Sequence, residues 1–253
     1  MRAICAILIL AAGIAADDGK PKKTSKRDPR VLELIKQAAD LYKNAKSVQV
    51  ELAVAFNLQN GDEKQEIQSQ CVYDLEKPDH FSLRARQAKD KDAGIDCTCD
   101  GKTLVLYALK LKQYTESAAP KSLSEISLQF ARVSRANTGF LFLNLLADDP
   151  YESLVDDVIS CTYAGKEKVA GFETHHVKVV HPEVKWEAWI AAEGKPLVLK
   201  ATTLVAVDEY RATTVETYEN WKLDQPIDKK VFSFTVPADA EKVDVLGQSK
   251  RKK

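Results

Sequence analysis

The sequence predicts an α+β fold in which a large antiparallel β-sheet carries a few helices on one face. Three observations lead there. Val48, Val50, Leu52, Val54, Phe56 and Leu58 alternate with Gln49, Glu51, Ala53, Ala55 and Asn57, the period-two pattern of a strand with one buried face. Asn60-Gly61 and Asp100-Gly101 are hairpin turn dipeptides. Strand-like runs fall into two blocks of about five, with helical segments between them. No Pro- or Gly-rich linker divides the blocks, so one sheet covered by helices is the economical way to bury the apolar residues.

The elements follow in order. Asp28-Pro29 reads as a helix N-cap followed by Pro in the first turn. Val31, Leu32, Ile35, Ala38, Ala39 and Tyr42 then recur at helical spacing to near Asn44. The long strand comes next, and its partner returns through Cys71 and Tyr73 to about Leu75. Lys77-Pro78-Asp79 turns the chain into a strand beginning at Phe81. Further strands cover Ile95 to Cys99, Thr103 to Tyr107 and Lys112 to Thr115. The middle changes character. Leu123 to Val133 reads as helix, 140–146 is the most apolar internal stretch, and Asp148-Asp149-Pro150 ends it and caps a short helix from Tyr151 to Val158. Strands resume around Tyr163, His176, Val184 to Ile190, Leu197 to Val205 and Thr213 to Trp221. A short helical turn over Asp228 to Phe234 and an edge strand toward Leu246 close the domain.

The N-terminus has the pattern of a secretory signal peptide over 1–16. Met1-Arg2 is the positive region, Ala3 to Ala12 the apolar region, and Gly13-Ile14-Ala15 supplies small residues for cleavage. The apolar run is shorter than the roughly 20 residues of a membrane span. Residues 17–27 form a basic leader that lacks an apolar anchor and is expected to be disordered. Residues 28–246 form a single domain, and 247–253 a basic tail. The expected location is therefore the periplasm.

Lys plus Arg number 37 and Asp plus Glu also 37, so net charge points to no nucleic-acid partner. Hydrophobic residues make up 45%, enough to build a core without metals or disulfides. Export nevertheless permits disulfides among Cys71, Cys97, Cys99 and Cys161. Cys97 and Cys99 share one face of a strand at about 7 Å, a poor geometry for a bond between them. A meander separates Cys71 from Cys97 by two strand spacings, about 10 Å. Cys161 is left as a possible partner of Cys97 or of Cys99.

Several motif sets, in order and spacing, carry a resemblance. The first is Asp28-Pro29-Arg30 with its helix, the strand from Ser47 and the Lys77-Pro78-Asp79 turn. The second is Asp100-Gly101-Lys102-Thr103 with Leu104 and Tyr107. The third is Asp149-Pro150-Tyr151, Gly171, His175-His176-Val177, Trp186, Trp189-Ile190 and Pro196, and the last is Trp221 with 232–237. Over about 28–245 the chain resembles a bacterial family of predicted periplasmic proteins without assigned function, related to the lipoprotein-localisation factors. That resemblance implies an unclosed β-barrel, strongly curved around its helices, with an apolar cavity between sheet and helices. It implies no catalytic residues and no cofactor.

The candidate ligand site is apolar. Val50, Leu52, Val54 and Phe56 would line it from the sheet, Phe140, Phe142 and Leu143 would cover it from the helical side, and Trp186 is a further wall. Barrel mouths and sheet–helix crevices are common ligand sites, and burial of an alkyl chain needs no polar constellation. Trp186 and Trp189 are three apart on a strand and face opposite sides. His175 and His176 also point to opposite faces, and with His181 they do not form a metal-ligand pattern, so no metal is expected. No nucleophile elbow, phosphate loop or dinucleotide fingerprint occurs in the sequence. The function expected is a non-enzymatic carrier of a lipid or lipoprotein acyl chain. The alternative is a periplasmic sensor that reports lipoprotein or envelope stress to a membrane partner.

Overall fold

A computed structural model describes residues 27–126, 140–207 and 209–247. The expected signal peptide, most of the expected leader, the tail beyond 247 and positions 127–133 of the helix expected over Leu123–Val133 lie outside the described residues, whereas 123–126 are helical. The chain begins with α1 (Pro29–Asn44). Six strands follow: β1 (Ser47–Asn60), β2 (Glu63–Glu76), β3 (His80–Gln87), β4 (Gly94–Asp100), β5 (Thr103–Ala108) and β6 (Gln113–Ala118). Two short helices, α2 (Phe140–Leu145) and α3 (Pro150–Val155), lead to β7 (Ser160–Val169), β8 (Phe172–Val180), β9 (Val184–Ala191), β10 (Val198–Val207) and β11 (Tyr210–Leu223). A 3-10 turn, Lys229–Phe232, and β12 (Glu241–Lys242) end the described chain.

All twelve strands belong to one sheet in the order β12-β6-β5-β4-β3-β2-β1-β11-β10-β9-β8-β7. Two meanders meet where β1 pairs with β11, so the longest strands lie at the centre. The sheet is an unclosed barrel wall with free edges at β7 and β12. The six strand segments read before the helices all appear as β1–β6. One expectation changes: the sheet is mixed rather than wholly antiparallel, because β12 runs parallel to β6. The 3-10 turn packs on β3 and β4 and carries the chain across the sheet, so the last segment reaches the free edge of β6 in that strand's own direction.

Helix α1 forms where its pattern places it. The Asp28 side chain accepts from the Arg30 amide, and Pro29 occupies the first turn. Val31, Ile35, Ala38, Ala39 and Tyr42 are buried, one face at 3.6-residue spacing. At the far end the Lys77 ammonium donates to the Tyr42 and Lys43 carbonyls at 3.0 and 2.5 Å, satisfying acceptors that no further turn can reach. A bulge in β10 between Val198 and Lys200 frees the Val198 backbone. Its N–H donates to Tyr42 Oη and its carbonyl accepts from Trp221 Nε1, both at 3.0 Å. One core then runs from β1–β5 across to β8–β11 around α1.

The cysteines do not pair. Cys71, Cys97, Cys99 and Cys161 are all buried free thiols, which corrects the expected bond from Cys161 to Cys97 or Cys99. Cys161 lies on edge strand β7 beside the start of α1, and its Sγ donates to the Asp28 carbonyl at 3.7 Å. Cys97 and Cys99 lie on β4, packed between β3 and β5, and seven strands separate β4 from β7 in the sheet order. Burial raises the pKa of all four, that of Cys71 to about 12.

Two outcomes are expected. Because the thiolate is the reactive form, all four thiols of the mature folded protein should react slowly with a disulfide reagent at pH 8, and all four rapidly in denaturant. Replacing the cap, Asp28→Ala, should lower stability by about 1 kcal/mol, read from the midpoint of urea unfolding.

Candidate functional site

An apolar crevice lies between the helices and one half of the sheet. Ile35 and Ala38 of α1, Leu141 and Leu145 of α2, and Leu154 of α3 line one side. Trp186, Ala188 and Ile190 of β9 and Val198 of β10 line the other. The period-two alternation of β9 puts its three residues on one face, and helical spacing does the same for Ile35 and Ala38. The crevice is tight. About 10 Å³ is open to the centre of a water-sized sphere, room for roughly one water.

The expected lining is only partly brought together. Trp186 lines the crevice, with its Nε1 donating to His181 Nε2 at 3.1 Å. Val50, Leu52, Val54 and Phe142 are buried in the same core but stand beside the crevice. Phe142 packs on Tyr73, its ring centroid 4.6 Å away, and near Tyr218 and Trp221. Leu143 is partly buried on the rim of the core, and Phe56 is half-buried toward the end of β1. Phe140 opens α2, and its side chain lies outside the described residues. The unexpected wall residues are Ile35, Ala38, Leu141, Leu145, Leu154, Ala188, Ile190 and Val198. Their periodicity marked them as inward-facing, but nothing local distinguished them from other core positions.

A carboxylate holds the cover. Glu216 of β11 is fully buried on the inner face, between register neighbours Val54 and Ala201. It accepts from the Leu141 and Phe142 amides at 3.1 and 3.3 Å and from the Tyr218 hydroxyl. Burying a charge is costly unless donors surround it, and the first amides of α2 have no partner within the helix. Each satisfies the other. Burial and the neighbouring Glu216 charge raise the Tyr218 pKa well above its usual value. On the outside, Asp149 caps α3 through the Glu152 amide and pairs with Lys43 of α1 at 2.7 Å, while Ser153 Oγ donates to Asn144.

The histidines divide as the alternation implies. His176 is buried on the outer face, stacked on Trp189 at 4.2 Å, with one ring nitrogen 2.8 Å from Glu167 and the other 2.7 Å from Glu187. Trp189 Nε1 also donates to Glu167, and the Lys200 ammonium lies over the Trp189 ring. This network clamps β7 to β10 on the side away from the crevice. His175 faces inward. Its Nδ1 is 2.9 Å from the Tyr163 hydroxyl, and the Arg30 guanidinium stacks on the Tyr163 ring at 3.6 Å. Burial first, then the charges of Arg30 and Lys166, lower the His175 pKa. Among the described residues, no group of three or more His, Cys, Asp or Glu is arranged to hold a metal.

His176→Ala removes the ring whose nitrogens meet Glu167 and Glu187 and should cost about 1–2 kcal/mol in urea unfolding. The Trp189 bond, then the His176 bond, hold the Glu167 pKa below its usual value. Its stabilising effect is therefore complete above the unfolded carboxylate pKa of about 4.3 and is lost as pH falls through the lower folded value. Glu167→Gln should flatten the acid limb of the stability profile.

Comparison with known proteins gives similarity at the level of solved structures. The lipoprotein LppX of Mycobacterium tuberculosis aligns at 17% identity over 79% of this chain and 98% of its own, with a TM-score of 0.46. MucB in the Pseudomonas aeruginosa MucA/MucB complex aligns at 12% identity over 85% of this chain and 63% of that one, with a TM-score of 0.43. A LolA superfamily protein from Nitrosomonas europaea aligns at 12% over 81% and 97%, with a TM-score of 0.34. No curated protein matches the chain. The family model described as predicted periplasmic protein (DUF2092) matches residues 32–246, and the chain belongs to that periplasmic family.

Proposed function

We propose that this protein binds an apolar chain in the periplasm, a lipid or the acyl chain of a lipoprotein, and carries it without catalysing a reaction. The observation that supports this is the crevice, whose walls are apolar on every side and whose cover is two six-residue helices. Helices that short have little stability of their own. They stay in place through the Glu216 carboxylate, the packing of Leu141, Leu145 and Leu154, and an exposed Lys43–Asp149 pair, which contributes little.

The closed crevice holds about one water, so an acyl chain enters only when α2 and α3 move outward. A dodecyl chain gains on the order of 9 kcal/mol on leaving water. Exposing the three cover leucines returns about 2 kcal/mol each, which leaves a modest net affinity and permits release. The same small volume favours a second reading, in which the protein senses lipid or lipoprotein and signals to an envelope partner, because a sensor needs no resting cargo.

Native mass spectrometry of protein purified from the periplasm without detergent separates these readings. A stoichiometric adduct of lipid mass is expected for a carrier. An apo mass that gains an alkyl probe in titration is expected for a sensor, and refusal of every probe would sink both. Leu154→Ala should lower the melting temperature through a loss of about 2–4 kcal/mol, with a saturating alkyl ligand restoring part of it. Glu216→Gln should speed uptake of a fluorescent fatty-acid analogue in stopped flow. Unchanged uptake would show that α2 does not gate the crevice.

A further inference from the structure

The polar atoms around the crevice are unequally committed. At the Val198 end, the Tyr42 hydroxyl and Trp221 indole are bonded to the Val198 backbone. The Trp186 indole is bonded to His181, and Glu216 to α2 and Tyr218. Across Ile190, on the β8 side, the situation differs. His175 is the register partner of Ile190, a crevice wall residue. Tyr163 joins His175 through its hydroxyl, and Arg30 lies flat on Tyr163. The Arg30 guanidinium enters no ion pair among the described residues, whereas Lys166 is paired with Glu173 and the Arg27 guanidinium donates to the Val158 carbonyl. With its central carbon over the Tyr163 ring, the guanidinium has no side-chain partner for its N–H groups among the described residues, and Arg binds carboxylate or phosphate through such N–H groups.

Resting on the apolar-chain reading, we propose that the ligand is a single-chain amphiphile with an anionic head, carboxylate or phosphate. The chain occupies the crevice, and the head sits at the Arg30–Tyr163–His175 rim. The walls offer no polar group to a head, so the head must remain at the margin, and the β8 margin carries the Arg30 guanidinium, which has no ion pair among the described residues. The His175 pKa is lowered by burial first, and next by the nearby Arg30 charge. Beside the crevice, Thr203 Oγ1 is also buried without a hydrogen-bond partner among the described residues. A neutral hydroxyl cannot select an anion over an alcohol.

The test compares dodecyl phosphate, laurate, 1-dodecanol and inorganic phosphate, each below micelle concentration, by titration of the tryptophan fluorescence of the mature protein. The two anionic amphiphiles should bind about tenfold more tightly than dodecanol, the effect of one charge-assisted contact. Arg30→Gln, an exposed substitution, should bring that ratio near unity, and His175→Gln should reduce it. Equal affinity for all three alkyl probes in the wild type, or an unchanged ratio in Arg30→Gln, overturns the anionic head while the apolar reading stands. Inorganic phosphate binding as tightly as dodecyl phosphate makes the rim a free-anion site and overturns the amphiphile. Failure of every alkyl probe overturns both readings.

Discussion

A broad sheet with one apolar face has to be covered, and among the described residues there is little helix to cover it. Twelve strands laid flat span about 50 Å at the usual strand spacing, whereas the sixteen residues of α1 reach about 24 Å. The sheet therefore curls so that β1–β5 and β8–β11 share one core around α1. The polar ties of α1 follow from that arrangement. Its start is bonded to Cys161 of edge strand β7, and its end to the β10 bulge and the turn after β2.

What α1 does not cover falls to α2 and α3, and this makes the region above β9 and β10 the least robust part of the interior. Two helices of six residues bring few side chains, so the crevice persists between them and the sheet. The buried Glu216 is the compensation. A carboxylate on an apolar sheet face is unfavourable alone, and the open amides of α2 are unfavourable alone, so the two stabilise one another only when the cover is in place. Such a joint is suited to two positions, because its energy is lost whole rather than gradually when α2 moves.

The two faces of β8 and β9 divide the labour. Outward, His176, Trp189, Glu167 and Glu187 satisfy each other and stiffen the edge half of the sheet. Inward, Trp186, Ala188 and Ile190 present a dry wall that ends at His175, where polar groups remain available. A stiff wall opposite a thin cover fits the proposed uptake, which would confine motion to the helices.

The sequence by itself determined the strands, their turns, the two capped helices and, for α1 and β1, which side faced inward. Those features depend on residues two to four positions apart: Val48 to Leu58 alternating, Asp28 and Asp149 capping, Asn60-Gly61 and Asp100-Gly101 reversing the chain. The resemblance added the unclosed, curved form. Only the tertiary structure decided which apolar residues meet at the crevice. Leu52 on β1 and Ala188 on β9 sit in the same alternating pattern, and the path of α1, α2 and α3 across the sheet makes Ala188, not Leu52, part of the crevice wall. The same holds for Cys161, whose fate rested on strand order, and for Glu216, which reads as an ordinary acidic residue in a Thr-rich strand until a helix end is brought over it. Contacts between residues 75 or 130 positions apart leave no mark on local periodicity, because periodicity reports which way a side chain points and not what arrives to meet it.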